Sequence, residues 1–449
     1  MSAAVEKSGP GYEGPLGLFP VPYSKGVFNF HWFNFWNAIC FQIILGAPTV
    51  LLAKDLGASS TILGVIAAFT PLLTTLQLPA ARHLANHSYR SFALAGWGLR
   101  SIFIATSAFV PLLAFWSKEI RLGILLASLF IFNVLRGISS AAFLPWITGV
   151  VSGGMRGRFI SIDHTFVNAG CLVTMLLSAV MMSGHPGPGR YSLVLWLSVA
   201  GSLTSLIYLR LIPDSRHHVE GGGGGTPAEH VPIRRMISLV PFRNTILFSL
   251  LFATVAGGLG VFPVEYLRVQ AHFSPSMIYA LSAGTFLGPM LVLQWLGHRV
   301  DRFGSIPTLR ITVGLFAVVL GLWFAMSAGI IPPDWRLVLI LNLSGGMAMA
   351  GFNMANVHLG MAVVPEQGKN HYFAFTTVVT SLGNGVVPVL WGRLLDSMGT
   401  LDHVAGPFHF RRHSIYFLGI CLLSVATLLA TRILSEPAHG SSGAKGLKN

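Results

Sequence analysis

A guanidinium at position 136 and carboxylates at 163, 265 and 396 interrupt stretches that are otherwise almost wholly apolar. An ionisable side chain in such a run costs about 3 kcal/mol on membrane-insertion scales, so each is a candidate for chemistry. Arg136 needs an anion, backbone carbonyls or water beside it. It suits attraction of an anionic or carboxylated ligand, and equally a pairing with an acid of the same bundle or with the nearby loop. A carboxylate in apolar surroundings whose proton affinity differs between two states can carry a proton. Two residues qualify: Glu265 in Pro263-Val264-Glu265-Tyr266, and Asp163 beside His164. Each also has a structural reading, Glu265 with Arg268 and Asp163 with Arg156, Arg158 or Arg302. Asp396 lies three residues from Arg393, a spacing that makes a local ion pair the simpler account.

Uncharged polar residues fall on helical faces. At 100° per residue, His31, Asn34, Ala38 and Gln42 share about 80° of arc on an otherwise aromatic helix. Asn133, Arg136 and Ser140 share a face in the same way. A third stretch presents Asn342, Gly346, Met349, Asn353 and Asn356 on one side. Amides and hydroxyls in apolar helices serve interhelical hydrogen bonding or line a water-filled cavity. Three coherent stripes favour the cavity, with His31, Asn34, Gln42, Asn133, Arg136, Ser140, Asn353 and Asn356 as its lining.

The elements that position these residues are membrane spans. Of 449 residues, 53% are hydrophobic and only 10% charged, against about 25% charged in a soluble domain. A bilayer core needs about 20 apolar residues of helix. Twelve such runs fit: 27–53, 61–81, 92–116, 121–149, 159–183, 191–212, 241–268, 275–297, 309–330, 336–364, 371–397 and 414–434. The chain therefore reads as an all-α polytopic membrane protein, with spans 1 to 12 in two six-helix bundles, 27–212 and 241–434. Residues 213–240, with Arg216-His217-His218 and the glycines 221–225, form a cytoplasmic linker; residues 1–26 and 435–449 are cytoplasmic tails. Lys and Arg concentrate in the loops on the linker's side, which places both termini in the cytoplasm by the positive-inside rule. The net charge of +14 thus reflects lipid topology rather than a nucleic-acid partner.

Several chemistries find no support. Cys40, Cys171 and Cys421 each sit in an apolar run and act as small hydrophobes. No phosphate-binding loop, H-E-x-x-H or G-x-S-x-G motif occurs, and no cleaved signal precedes span 1. No metal, cofactor or enzymatic centre is expected. The pattern Asn86-His87-Ser88 falls on the cytoplasmic side, where it carries no meaning for glycosylation.

The halves repeat. Pro48 and Pro263, and Asn86 and Asp301, recur at one offset of 215, and Val150-Val151 and Val363-Val364 nearly so. Gly297-His298-Arg299-Val300-Asp301-Arg302-Phe303-Gly304 resembles the G-x-x-x-D-R-x-G loop motif of the major facilitator superfamily. Arg156-Gly157-Arg158 after span 4 is similar to that superfamily's basic loop between spans 4 and 5. The resemblance implies two bundles rocking about a central cavity lined by spans 1, 4, 7 and 10, with inner gates at loops 2–3 and 8–9. Carried onto this sequence, the gate comprises Asn86, Arg90, Arg156, Arg158, Gly297, Asp301, Arg302 and Gly304. The first copy departs from the motif, because Asn86 stands where the carboxylate would be.

The resemblance implies secondary transport of a small solute by alternating access, with protons as a candidate coupling ion, in a plasma or inner membrane and as a monomer. An efflux carrier of lipophilic compounds would suit the aromatics of span 1, which could also face lipid at the inner interface; an uptake carrier of organic anions would suit Arg136. A membrane enzyme or sensor on the same fold is the rival from another class. An asymmetric gate held by Asp301 predicts that Asp301→Asn impairs transport much more than Asn86→Ala in a whole-cell or vesicle uptake assay; equal effects would remove the asymmetry.

Overall fold

The computed structural model describes residues 23–84, 88–151, 155–184, 187–214, 232–292, 304–365, 369–406 and 408–435. Eleven helices among them are long and apolar enough to cross a membrane: Lys25–Asp55, Ser60–Ala81, Tyr89–Leu112, Lys118–Val150, Arg156–Met181, Pro188–Arg210, Pro275–Val292, Ser305–Ser327, Trp335–Val363, His371–Ser397 and Arg412–Ile433. They correspond to spans 1 to 6 and 8 to 12.

Span 7 differs from the single run expected at 241–268. The helix Val240–Ala256 stops, and a second helix, Phe262–Val269, resumes the path. The cause is local: Gly258 takes a φ of 86°, a conformation that only glycine adopts without strain, and Pro263 sits in the first turn of the restart. Span 1 is also interrupted, at Gly46 in an extended conformation, and Pro48 sits in the first turn of its second part. Both prolines separated by 215 residues therefore restart a helix, where their missing N–H is no loss. The sequence also gave no warning of strands between spans 11 and 12, yet Asp402–Ala405 pairs antiparallel with Phe408–Arg411, Asp402 facing Arg411. Phe408-His409-Phe410 supplies the alternation that a short hairpin needs.

Helix ends in a membrane protein must satisfy their first N–H groups without help from hydrocarbon. Serine does this repeatedly: Ser24, Ser59, Ser88, Ser117 and Ser274 each accept from a backbone N–H one turn on.

By internal contacts the chain divides into two units. One comprises residues 1–222 together with 258–287 and 388–397; the other comprises 223–257, 288–387 and 398–449. In the first unit span 1 is the central element. Its Phe28, Phe30 and Phe33 are buried with Trp146, Phe159 and Phe166 in one aromatic core, joined by edge-on contacts such as Phe30 to Trp146 at 5.2 Å. Span 5 approaches it closely at Gly170, where a Cβ would lie 2.6 Å from the Phe35 carbonyl and 2.9 Å from Ala38 Cβ. In the second unit, Phe252 stacks on Phe352 with centroids 3.4 Å apart, and Trp323 stacks on Phe417 at 5.3 Å.

The contact at Gly170 makes a testable claim about packing. Gly170→Ala should destabilise the protein by about 1–3 kcal/mol through overpacking, whereas Gly98→Ala, where a Cβ meets nothing within 4 Å, should be neutral or gain up to about 1 kcal/mol of helix propensity. Melting temperatures of the two variants in one detergent distinguish them.

Candidate functional site

The charged residues of the apolar runs find partners far away in sequence. Glu265 is fully buried. It accepts a hydrogen bond from Lys54 Nζ at 2.7 Å, and Ser60 Oγ lies 2.9 and 3.1 Å from its two carboxylate oxygens. The pairing expected from sequence, Glu265 with Arg268, is not formed. Arg268 turns to Asp55 at 3.5 Å, and Asp55 also accepts from the Tyr191 hydroxyl at 2.7 Å. The reason is positional: Glu265 faces the end of span 1, where Lys54 projects from the last turn of the resumed helix.

Asp396 behaves likewise. It does not pair with Arg393, which is exposed. Its two oxygens accept instead from the backbone N–H groups of Ser60 and Thr61, at 2.9 and 2.7 Å. A carboxylate from span 11 thus caps the N-terminus of span 2, where the helix dipole favours negative charge. The backbones are close there. A Cβ on Gly64 would run into the Pro388 carbonyl and one on Gly392 into the Ser60 carbonyl. All these residues belong to the first unit.

A second polar cluster joins spans 1 and 5. His31 is fully buried between Phe28, Phe159 and Phe166. Its Nε2 lies 2.7 Å from the Tyr23 hydroxyl and its Nδ1 lies 3.2 Å from Asp163. Asp163 also accepts from the Asn34 amide at 2.7 Å. Burial pushes the Tyr23 hydroxyl well above its ordinary range, which keeps its proton in place beside the imidazole. Asp163 therefore pairs with His31 and Asn34 rather than with Arg156. Arg156 donates to the carbonyls of Thr148 and Val151, closing the end of the preceding helix.

The remaining expected residues scatter. Asn133 accepts from Thr70 and donates to the Leu129 carbonyl. Ser140 donates to the Gly137 carbonyl at 2.8 Å. Gln42 is half-buried. Arg136 is half-buried and forms no ion pair or hydrogen bond among the described residues. Arg100, seen in the sequence only as a charge within span 3, is the more enclosed cation. It is fully buried, donates to Asn37, and lies 4.8 Å from the Trp97 ring and 5.2 Å from the Phe132 ring. Stacking on aromatic faces is the usual accommodation for a guanidinium without a carboxylate. Phe28, Phe30 and Phe33 face neither lipid nor solute, because all three lie in the core of the first unit. Of the gate residues, Arg90 is half-buried at the start of span 3, Arg158 is exposed, and Gly304 forms the N-cap of span 9 with a φ of 86°. Asn86, Gly297, Asp301 and Arg302 lie outside the described residues.

The second unit holds a cavity of about 520 Å³ between spans 7, 10 and 11. Span 10 supplies the expected Asn353 and Asn356. Sequence reasoning missed the rest: Thr245 and Ser249 of span 7, and Thr376, Thr380 and Asn384 of span 11. Among the described residues, no Asp, Glu, Lys, Arg or His lines it. The signal was available, since Thr376, Thr380 and Asn384 recur at four-residue spacing, but the charged residues that drew attention in span 11, Arg393 and Asp396, lie further along the helix.

Comparisons with known proteins fit this architecture. Residues 245–449 match the family model of the Major Facilitator Superfamily. None of the curated proteins matches the chain. Among solved structures, a D-xylose-proton symporter superposes with a TM-score of 0.69 at 14% identity, covering 92% of this chain and 99% of its own. A nucleoside transporter gives 0.67 at 12% identity, covering 91% and 99%. A POT family transporter in complex with 5-aminolevulinic acid gives 0.69 at 11% identity, covering 92% and 98%. At these identities the likeness is one of fold.

The geometry around Glu265 predicts strong coupling. Lys54→Met, which leaves a buried carboxylate without its cation, should cost about 3–5 kcal/mol. The double variant Lys54→Met with Glu265→Gln should recover at least about 1 kcal/mol relative to the sum of the singles. A double-mutant cycle of unfolding measurements checks this, and additivity would show that the pair is not coupled.

Proposed function

The chain is a major facilitator superfamily protein, by the family match of its second half and by its fold, and from that premise we propose that it moves a small solute across the membrane by alternating access. The observation that carries this reading is the polar cluster of Lys54, Glu265, Ser60 and Asp396. It ties residues 54–61 of the first sequence half to residues 262–269 and 388–397 of the second. A barrier that opens and re-forms in every cycle needs contacts that water can replace, and ion pairs and hydrogen bonds meet that need. A permanent apolar core does not. The xylose and nucleoside carriers of similar fold support the class of activity.

With both termini in the cytoplasm of a plasma- or inner-membrane protein, the Lys54–Glu265 cluster lies at the outer ends of the spans and acts as the outer latch. Coupling to protons is assigned to Glu265. Protonation of its carboxylate removes the charge that holds Lys54, and the 19% exposure of the Lys54 side chain gives the freed cation a route to water. The efflux reading rests on the span 1 aromatics, of which Phe28, Phe30 and Phe33 are core residues and Trp32, Phe35 and Trp36 are half-buried. Among the described residues lining the cavity, the polar groups are Ser, Thr and Asn side chains, which suit binding of a solute.

Proteoliposomes test the coupling. Glu265→Gln should retain solute exchange between equal compartments yet lose accumulation driven by an inward proton gradient. If Glu265→Gln still accumulates solute and Asp163→Asn does not, the proton site is Asp163.

A further inference from the structure

The hydrogen-bonding state of the cavity in the second unit identifies what it can hold. The hydroxyls of Thr245, Thr376 and Thr380 donate to carbonyls of their own helices, at 3.0, 2.9 and 2.7 Å. Ser249 donates across to the Asn356 carbonyl oxygen at 3.1 Å. Each hydroxyl proton is committed, and what these oxygens still offer is lone pairs. The Asn356 amide keeps its NH₂ group, and Asn353 and Asn384 form no hydrogen bond among the described residues. The wall therefore presents acceptors on spans 7 and 11 and amide donors on spans 10 and 11, with no net charge.

Such a wall discriminates by desolvation. An anion entering it would exchange water for neutral donors with no cation, and a cation would find no carboxylate; burying either unpaired is costly. A solute hydroxyl donates and accepts at once, and so pairs with both kinds of group. Phe252 and Phe352, which also line the cavity, stack on each other at an interplanar angle of 14° and contribute an apolar border beside the polar groups. The volume of about 520 Å³ falls within the range of small-molecule sites.

We propose that this cavity is the solute site and that its solute is an uncharged, hydroxyl-bearing ring compound, bound through Asn353, Asn384 and the Thr376–Thr380 face of span 11. The inference rests on the reading of the chain as a solute carrier. It differs from the anionic substrate that Arg136 suggests from sequence, and Arg136 is not among the cavity residues.

The test is thermal stabilisation of the purified full-length protein by D-xylose, D-glucose, inositol, uridine and inosine, against benzoate, succinate and tetraphenylphosphonium. At least one uncharged compound should raise the melting temperature saturably. Asn384→Leu and Thr380→Val should each weaken that binding about tenfold while the unliganded melting temperature stays near wild type. Should Asn384→Leu fold poorly, Asn384→Ser serves in its place, and Thr380→Val, nearly isosteric, reads the same wall. Stabilisation by the charged compounds alone, by none of the uncharged ones, or equally in wild type and variants overturns the proposal. Counterflow in proteoliposomes with the compound that binds separates the two readings. Counterflow of succinate or benzoate would leave transport standing and remove the neutral-solute assignment. Binding of an uncharged compound without counterflow would keep the cavity chemistry and remove transport.

Discussion

A carboxylate with no exposure to solvent persists in an apolar fold only where cations and donors reach it from several sides. Glu265 meets this condition through Lys54 and Ser60, which lie more than 200 residues earlier and on two different helices. The arrangement of neighbouring parts follows. Lys54 must be on the last turn of span 1, which fixes where the helix resumed after Gly46 ends. Ser60 must present its hydroxyl at the start of span 2, and that start is in turn held by Asp396 from span 11. None of these contacts exists within a single element. The ends of spans 1, 2, 7 and 11 that meet at this cluster are therefore specified together by charge, whereas the middles of the spans are specified by packing.

The packing is achieved by glycine and aromatic residues because the bilayer removes the usual driving force for helix association. Gly170 lets span 5 approach the backbone of span 1, and the Phe28, Phe30 and Phe33 rings fill the space on the N-terminal side of that crossing. A rigid aromatic core around span 1 gives the His31–Asp163 contact its fixed geometry. The buried imidazole is held by Tyr23 on one side and Asp163 on the other, so neither side chain has rotational freedom to serve a different partner.

The spans were legible in the sequence because twenty apolar residues are a one-dimensional signal, and the polar faces of spans 1 and 10 were legible because helical periodicity is another. Pairings were not. Glu265 stood out as a buried charge, but Lys54 read as one more interfacial cation, and nothing in a single sequence reports that positions 54 and 265 meet. Local rules even misdirected: Glu265 with Arg268, and Asp396 with Arg393, satisfy helical spacing, yet each carboxylate turns toward a neighbouring helix whose cation or free N–H groups lie deeper in the protein. The break in span 7 was hidden for a different reason. Gly257, Gly258 and Gly260 are apolar by hydropathy, so the run looked continuous although its backbone is not. The cavity was half visible, because Asn353 and Asn356 carry a polar stripe on a helix already suspected. The threonines of span 11 bond to their own backbone, and in sequence such residues are indistinguishable from those that merely satisfy a helix.

The contrast between the charged cluster and the uncharged cavity follows from what each must do. An ion pair removed from water is costly to break when only one partner leaves, so it suits a contact that holds until a specific event neutralises one member. A solute site has the opposite requirement, because a carrier that holds its solute as firmly as Glu265 holds Lys54 would stall with it bound. Neutral amides and hydroxyls contribute about 1 kcal/mol each after exchange with water. Several together select a solute by geometry without trapping it. Charge at the Lys54–Glu265 cluster and neutrality at the cavity are thus the two settings that the proposed carrier needs in order to close firmly and still release its solute.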